Sequence, residues 1–178
     1  MKPPSVIGYH GTSVAAAESI LLEGFKRSQN EYDWLGDGVY FFQDAPNRAY
    51  QWAKEHYGDE CAVVACEIAL EDCMDLLDIG WASILADAYD DFLRLCKITN
   101  TPLPKQSRGA HRLDRFVINY AIGILESQGI QIRSVRAAFA EGGPVFPNSA
   151  LRCLAHVQLA VRDESIIKKV RLERPGGA

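Results

Sequence analysis

The sequence predicts an α+β fold built on mixed or antiparallel strands, and two observations support this prediction. Segments typical of strands and helices follow one another in the order β-α-β-α-β-α-α-β-β, without the strict alternation of a doubly wound parallel sheet. No linker, repeat or change of composition divides the 178 residues, and this length suits one domain. We therefore expect a single domain over residues 1–174 and a frayed tail over residues 175–178.

The first half of the chain predicts three strands and two helices. A strand at Ser5–His10 leads into a turn. Thr12 or Ser13 then caps a helix with an apolar face, and Gly24 ends this helix. An aromatic and β-branched strand follows at Gly38–Phe42. The remaining elements of this half are a helix that Asp44 caps, with Pro46 in its first turn, and a mostly buried strand at Cys61–Leu70.

The second half predicts two helices followed by strands. Apolar residues recur every three or four positions in the second helix, whereas Arg112, Asp114 and Arg115 are typical of a solvent-exposed face. Between the helices, residues 99–109 contain two prolines, which predicts a surface loop. The predicted ranges are 81–95 and 111–128 for the helices and 132–140 and 154–161 for the two strands that end this order, and residues 168–172 are a candidate for one more strand.

The composition argues against several classes of function. A formal net charge of −4 gives the chain no overall attraction for nucleic acid or for an anionic membrane. None of the five cysteines forms a C-x-x-C pair and the four histidines lack a metal-site spacing, so we expect reduced thiols and no metal. No apolar stretch is long enough for a membrane span, and we predict a cytoplasmic protein without a membrane partner.

Two short motifs contain candidate binding residues. In Y-H-G-T, Gly11 lets a ligand approach the backbone, and His10 can donate to a hydroxyl such as a ribose oxygen. In W-L-G-D-G-V-Y-F-F, two glycines introduce a strand whose Tyr40 can offer a flat face to a planar ligand. Each motif also has a structural explanation, because a histidine before a turn and a tyrosine in a strand commonly belong to the core.

The combination of these motifs resembles the NAD-binding half of the ADP-ribosyltransferase superfamily, especially its diphtheria-toxin and poly(ADP-ribose) polymerase branch. In that branch a first strand ends in His-Gly-Thr or His-Gly-Ser, and a later strand carries Gly-x-Tyr-Phe. The resemblance implies a split β-sandwich with flanking helices, and NAD as co-substrate without a metal. It implies that His10 contacts a ribose hydroxyl and that Gly11, beside Thr12, binds the nicotinamide carboxamide. Tyr40 would stack on the nicotinamide, and Tyr50 and Trp52 flank the position of a second stacking aromatic.

A third motif departs from the pattern of this superfamily. The late strand H-V-Q-L-A-V-R-D places Gln158 where the family has a glutamate, and an amide supplies no negative charge. The alternative carboxylate is Glu141, in the segment F-A-E-G-G-P before this strand, with Gln158 orienting the cofactor. E-G-G-P and H-V-Q-L-A-V-R also resemble motifs of a bacterial group of proteins. The other interpretation is that Glu141 is a solvated loop residue without a role in a site.

The resemblance therefore implies a mono-ADP-ribosyltransferase that moves ADP-ribose from NAD to a protein or nucleic acid, with a role as a toxin or phage-defence effector. The basic run from Lys105 to Arg112 would offer a local surface to a nucleic-acid acceptor. Two alternatives remain open: an NAD glycohydrolase, and a non-catalytic module that binds NAD or ADP-ribose. RNA 2′-phosphotransferases have less support, because basic residues are not evident around His10.

Overall fold

The computed structural model describes residues 4–28, 30, 33–106 and 111–173, and it confirms the α+β class. The predicted tail at 175–178 and part of the 99–109 loop lie outside the described residues. The strands are β1 (Ser5–Ser13), β2 (Val39–Gln43), β3 (Cys61–Ala69), β4 (Cys73–Asp75), β5 (Ser134–Phe139), β6 (His156–Val161) and β7 (Ile167–Glu173). The α-helices are α1 (Val14–Glu23), α2 (Pro46–Tyr57), α3 (Gly80–Ile98) and α4 (Arg112–Ser127). Short 3-10 helices at Gly58–Glu60 and Glu164–Ile166 precede β3 and β7.

The seven strands form one mixed sheet in the order β4-β5-β6-β2-β1-β3-β7. Among the strands of the described ranges, β4 and β5 form the parallel pair and all other pairs are antiparallel. The junction between β1 and β2 consists of two residue pairs, Gly8–Gln43 and Tyr9–Phe42. The described strands thus form one continuous sheet whose two halves meet at a narrow junction, where the resemblance implies a split β-sandwich.

Successive side chains of a strand point to opposite faces, and apolar residues follow one another along β2 and β3, so helices pack against both faces of this sheet. On one face, helix α1 packs over a core that includes Phe41, Val64 and Ile68. On the other face, α3 and α4 pack over a core that includes Met74 and Val135. Helix α2 lies on this second face, over a smaller core of Phe42, Ala49 and Val63. No helix in the described part of the chain is long and apolar enough to cross a membrane.

Local predictions near the N-terminus are only partly correct. The predicted turn after His10 is wrong, because β1 stays paired with β3 as far as Ser13 and Cys61. Ser13 is the helix cap, since its Oγ accepts from Ala16 N at 3.2 Å. Asp44 does not cap α2: its carboxylate accepts from the backbone of β1, and Ala45 precedes the helix without a side-chain cap.

The three-residue strand β4 is absent from the sequence prediction. It is too short for an alternating pattern to stand out, and it exists through its parallel pairing with β5, about sixty residues later. The other predicted strands and helices are present, with ends that differ by a few residues.

Candidate functional site

The candidate site lies where strands β1 and β2 separate. The two strands pair at Gly8–Gln43 and Tyr9–Phe42. Beyond these pairs β1 remains with β3, and β2 remains with β6. His10, Gly11 and Tyr40, from the two motifs of the sequence, border this separation. The sheet therefore brings both motifs to one place although about thirty residues lie between them.

Backbone groups of Gly11 face the separation. The N–H and C=O groups of successive strand residues point to alternate sides of the strand. Asp44 N donates to Ile7 O at 2.8 Å on the β2 side of β1. Leu70 N donates to Pro4 O at 2.8 Å on the β3 side. The backbone N–H and C=O groups of odd-numbered residues in β1 thus point towards β2. Those of Gly11 do so beyond the last β1–β2 pair, where β2 no longer binds them. This edge offers one donor and one acceptor, the set that a carboxamide requires.

The imidazole of His10 is partly buried at the same point. Its Nδ1 lies 2.8 Å from Tyr40 O, and Nδ1–H is the donor because a carbonyl oxygen only accepts. Burial lowers the pKa of His10, so the ring is neutral at pH 7 and Nε2 is an acceptor. The expectation that His10 donates to a ribose hydroxyl is therefore reversed, and Nε2 would accept from that hydroxyl. The ring packs against Phe25 and Phe41, and Thr12 is buried on the same face of the sheet.

The Tyr40 side chain projects from the opposite face and is held by its hydroxyl. The hydroxyl donates to Gly36 O at 2.7 Å and accepts from Leu35 N at 2.8 Å. Burial raises the pKa of Tyr40, so the phenol stays protonated and both hydrogen bonds are kept. The ring position is consequently set by the turn at Leu35 and Gly36.

This turn is clamped to helix α4 by a polar cluster. Arg115 Nε and Nη2 lie 3.0 and 2.7 Å from Asp37 Oδ1. Asn119 Oδ1 accepts from Asp37 N at 3.1 Å and from Arg162 Nη1 at 2.9 Å. The prediction of a solvent-exposed face for Arg115 is wrong, because its side chain is 18% exposed and pairs with a carboxylate on a distant loop. Helical periodicity gives no sign of a partner that lies 78 positions away.

Helix α2 covers Gly11 and separates the two aromatic candidates. A methyl group on Gly11 would lie 2.6 Å from Ala49 O and 3.2 Å from Trp52 Cε3. At 100° per residue, Tyr50 and Trp52 lie on opposite flanks of the buried stripe formed by Ala49 and Ala53. Tyr50 lines an apolar groove between α1, β3 and β7. Of the two aromatics, Trp52 is the one beside the site.

The strand register places Gln158 beside Tyr40. Tyr40 pairs with Ala160, and Gln158 pairs with Phe42 on the adjacent strand. Paired residues project from the same face, so Tyr40 and Gln158 are diagonal neighbours with Cα atoms about 7–8 Å apart. Gln158, which the resemblance aligns with a catalytic glutamate, thus lies beside Tyr40 and has an amide without a charge.

Glu141 lies at the same end of β6, in a partly buried ion pair. Its Oε2 is 2.9 Å from Arg48 Nη2 and 3.9 Å from His156 Nδ1. His156 is two residues before Gln158 and projects from the same face of β6. With its side chain 28% exposed, Glu141 is not the solvated loop residue of the alternative interpretation. The carboxylate candidate thus lies near His156, two residues before Gln158 on the same face of β6.

Arg48 and His156 are site residues that the sequence predictions omit. His156 Nδ1 donates to Leu154 O at 2.6 Å, and burial lowers the pKa of His156, so the ring is neutral. One feature of the sequence could have indicated Arg48 as a site residue: it lies one helical turn before Trp52, on the same flank of α2. Within the described residues, no three His, Cys, Asp or Glu side chains converge as metal ligands, and the five cysteines are free.

No family model matches the chain. The chain is 25% identical, over 190 aligned positions, to an uncharacterised protein of Methanocaldococcus jannaschii, MJ0359. The alignment covers 91% of this chain and 84% of that protein, so the likeness extends across the domain rather than being confined to one motif. Neither comparison assigns a family or an activity, and the resemblance to ADP-ribosyltransferases rests on the motifs.

Proposed function

We propose that the protein is an NAD-dependent mono-ADP-ribosyltransferase that moves ADP-ribose to a macromolecular acceptor, a protein or a nucleic acid. The observation that carries the proposal is the separation of β1 and β2. It leaves the donor and acceptor edge of Gly11 open, beside the anchored ring of Tyr40 and on the sheet face that carries Gln158. These groups match a planar carboxamide attached to a ribose.

In this proposal each residue has a role that its contacts support. The Gly11 backbone binds the carboxamide, and the Tyr40 ring, fixed at its hydroxyl, supports the nicotinamide. His10 Nε2 accepts a hydrogen bond from a ribose hydroxyl, since Nδ1–H is committed to Tyr40 O. Gln158 can hydrogen-bond a second hydroxyl through its amide. Trp52 closes the Gly11 side of the site.

The proposed reaction breaks the bond between the nicotinamide nitrogen and ribose C1′, and the bonding electrons leave with nicotinamide. The acceptor forms the new bond to C1′ and releases a proton. Positive charge develops on the ribose as the first bond breaks, and a nearby carboxylate stabilises it. Glu141 is the candidate for this role and for receiving the acceptor proton, because Gln158 has no charge. The Glu141–Arg48 ion pair offsets that charge, so its strength controls how much stabilisation is available.

The test is incubation of the full chain with isotope-labelled NAD and a cell lysate, followed by mass spectrometry of protein and nucleic acid. We expect labelled macromolecules together with free nicotinamide. Tyr40→Ala should abolish NAD turnover, and Glu141→Gln should retain NAD binding and lose transfer. Glu23→Gln is the matched control, since that carboxylate is 61% exposed and pairs with Lys26 on the surface. Full activity of the Glu141 variant would show that the carboxylate assignment is wrong.

A non-catalytic module that binds NAD or ADP-ribose is the second candidate. It is favoured by one observation, the pairing of Glu141 with Arg48, which offsets the carboxylate charge next to Gln158. Calorimetric binding of NAD without release of nicotinamide would support this candidate over the transferase. Release of free ADP-ribose without labelled macromolecules would instead indicate hydrolysis, with water as the acceptor.

A further inference from the structure

Arg48 is a nearly buried cation whose hydrogen bonds are incomplete. Its side chain is 13% exposed, and Nη2 lies 2.9 Å from Glu141 Oε2. Among the described residues, its Nε and Nη1 are buried without a hydrogen-bond partner. Buried donors are almost always paired in folded proteins, and an unpaired donor carries the full cost of its desolvation. The carboxylate of Glu141 is thus an imperfect partner that uses one oxygen on one nitrogen.

The surroundings of Arg48 favour an anion with several oxygens. A guanidinium presents its N–H groups as a planar fork that matches phosphate oxygens two at a time. The ring of Phe42 lies 5.0 Å below the guanidinium carbon and holds it in place. Arg48 is also the third residue of α2, where the helix dipole favours negative charge.

Glu141 can leave this position without unfolding its loop. The backbone of the loop is tied by Leu154 N, which donates to Glu141 O at 3.1 Å, and by Cys153 N, which donates to Gly143 O at 3.0 Å. Neither bond involves the carboxylate. A change of side-chain rotamer therefore suffices to break the ion pair with Arg48.

We propose that Arg48 is a phosphate-binding site, which the Glu141 carboxylate occupies as an internal competitor until a phosphate displaces it. The phosphate oxygens take the place of Glu141 Oε2 on Nη2 and reach a second donor of the guanidinium fork, on Nε or on Nη1. Displacement frees the Glu141 carboxylate from Arg48 near His156, which couples phosphate binding to the charge of the site. The site is inferred from the contacts of Arg48 alone and does not depend on the transfer reaction.

The experiment is calorimetric titration of the full chain with inorganic pyrophosphate. We expect the wild-type protein to bind and Arg48→Gln to bind about tenfold more weakly or worse, as for a charge-assisted hydrogen bond. Glu141→Gln should bind more tightly, by about threefold or more, because the competing charge is gone. Arg94→Gln is the control, since Arg94 is 70% exposed and pairs with Asp91. It should bind pyrophosphate as the wild type does.

The Glu141 variant distinguishes a phosphate site from a purely structural ion pair. A structural pair predicts that Glu141→Gln leaves pyrophosphate affinity unchanged or lowers it, and either result would overturn the proposal. Unaltered affinity in a folded Arg48→Gln protein, or no binding by the wild type, would overturn it as well. If Arg48→Gln does not fold, Arg48→Lys replaces it, with weaker binding expected because the fork is lost.

A parallel titration with ADP-ribose identifies the source of the phosphate. A loss of ADP-ribose affinity in Arg48→Gln, alongside the loss of pyrophosphate affinity, supports the site as one for the diphosphate of a dinucleotide. Loss of pyrophosphate affinity alone supports it as a site for free phosphate. Both results are obtained whether or not the protein transfers ADP-ribose, so a failure of the transferase proposal remains distinguishable.

Discussion

Replacing Gly11 with alanine tests whether this glycine is required by the packing of helix α2. The added methyl group would lie 2.6 Å from Ala49 O, 3.2 Å from Trp52 Cε3 and 3.3 Å from Ala53 Cβ. Ala49 and Ala53 are fully buried, and the closest atom is a backbone oxygen that no rotamer change can move. The strand cannot retreat either, because Gly11 is paired with Val63 of β3.

The structure gives the size of this effect. Overpacking of a tightly packed site destabilises a protein by about 1–3 kcal/mol. Alanine also makes the unfolded chain less flexible than glycine does, which offsets about 0.4–1 kcal/mol of this loss. At about 2–4 °C per kcal/mol for a chain of this length, Gly11→Ala should lower the melting temperature by several degrees. Gly123→Ala is the matched control, since Gly123 lies within α4 with open space around its position. This variant should gain about 0.8–1 kcal/mol through helix propensity.

Thermal and urea unfolding of the two variants measure the difference. We expect opposite signs, with Gly11→Ala less stable and Gly123→Ala more stable than the wild type. If Gly11→Ala is as stable as the wild type, the helix does not press on the strand and the packing argument is refuted. In that case an effect of the variant on NAD binding would assign the glycine to ligand approach instead.

Three further predictions follow from buried polar contacts. Tyr40→Phe should lower the free energy of unfolding by about 1–3 kcal/mol, measured in urea, because Leu35 N loses its acceptor. Asp37→Asn should lower it by a similar amount, about 1–3 kcal/mol, since the Arg115 guanidinium loses a charged partner. Burial lowers the pKa of His10 and of His156, so the unfolded chain binds more protons below its histidine pKa of about 6.5. Stability should therefore fall as the pH drops from 7 to 5, by up to about 1.4 kcal/mol per pH unit for each histidine, measured by thermal unfolding across this range.

The first two of these predictions have controls on the surface. Tyr57→Phe and Asp91→Asn alter exposed groups and should change stability by less than about 0.5 kcal/mol. If these control variants lost as much stability as Tyr40→Phe and Asp37→Asn, the importance of the buried contacts would be contradicted. A double replacement of His10 and His156 should flatten the acid side of the stability curve. A slope that survives the double replacement would assign the pH dependence to other groups.

The fold class was predictable because it depends on local patterns. Apolar spacing along α4 and the aromatic, β-branched run of β2 are properties of the segments themselves. The order of these elements excludes a doubly wound sheet without any knowledge of their packing. Strand β4 was not predictable, because three residues form a strand only where β5 offers them a partner.

The candidate site was predictable in part, through residues that are unusual where they stand. A glycine beside a histidine at the end of a strand and a tyrosine after two glycines drew attention to His10, Gly11 and Tyr40. The hydrogen-bonding role of His10 was not predictable, since it follows from a contact with a carbonyl on another strand. Arg48 and His156 were missed, because the position of Arg48 one helical turn before Trp52 is a weak signal and the contacts of both residues with Glu141 come from a distant segment.

The sequence by itself determined the α+β class, most of the helices and strands, and the two motifs that border the site. These are properties of neighbouring residues, and the backbone periods of helix and strand express them directly. Only the tertiary structure decided that β1 and β2 separate beside Gly11, that Tyr40 is held by a distant clamp, and that Arg48 pairs with Glu141. Such contacts join side chains from segments far apart in the chain, and their geometry is fixed by strand register and by the packing of α2 on the sheet.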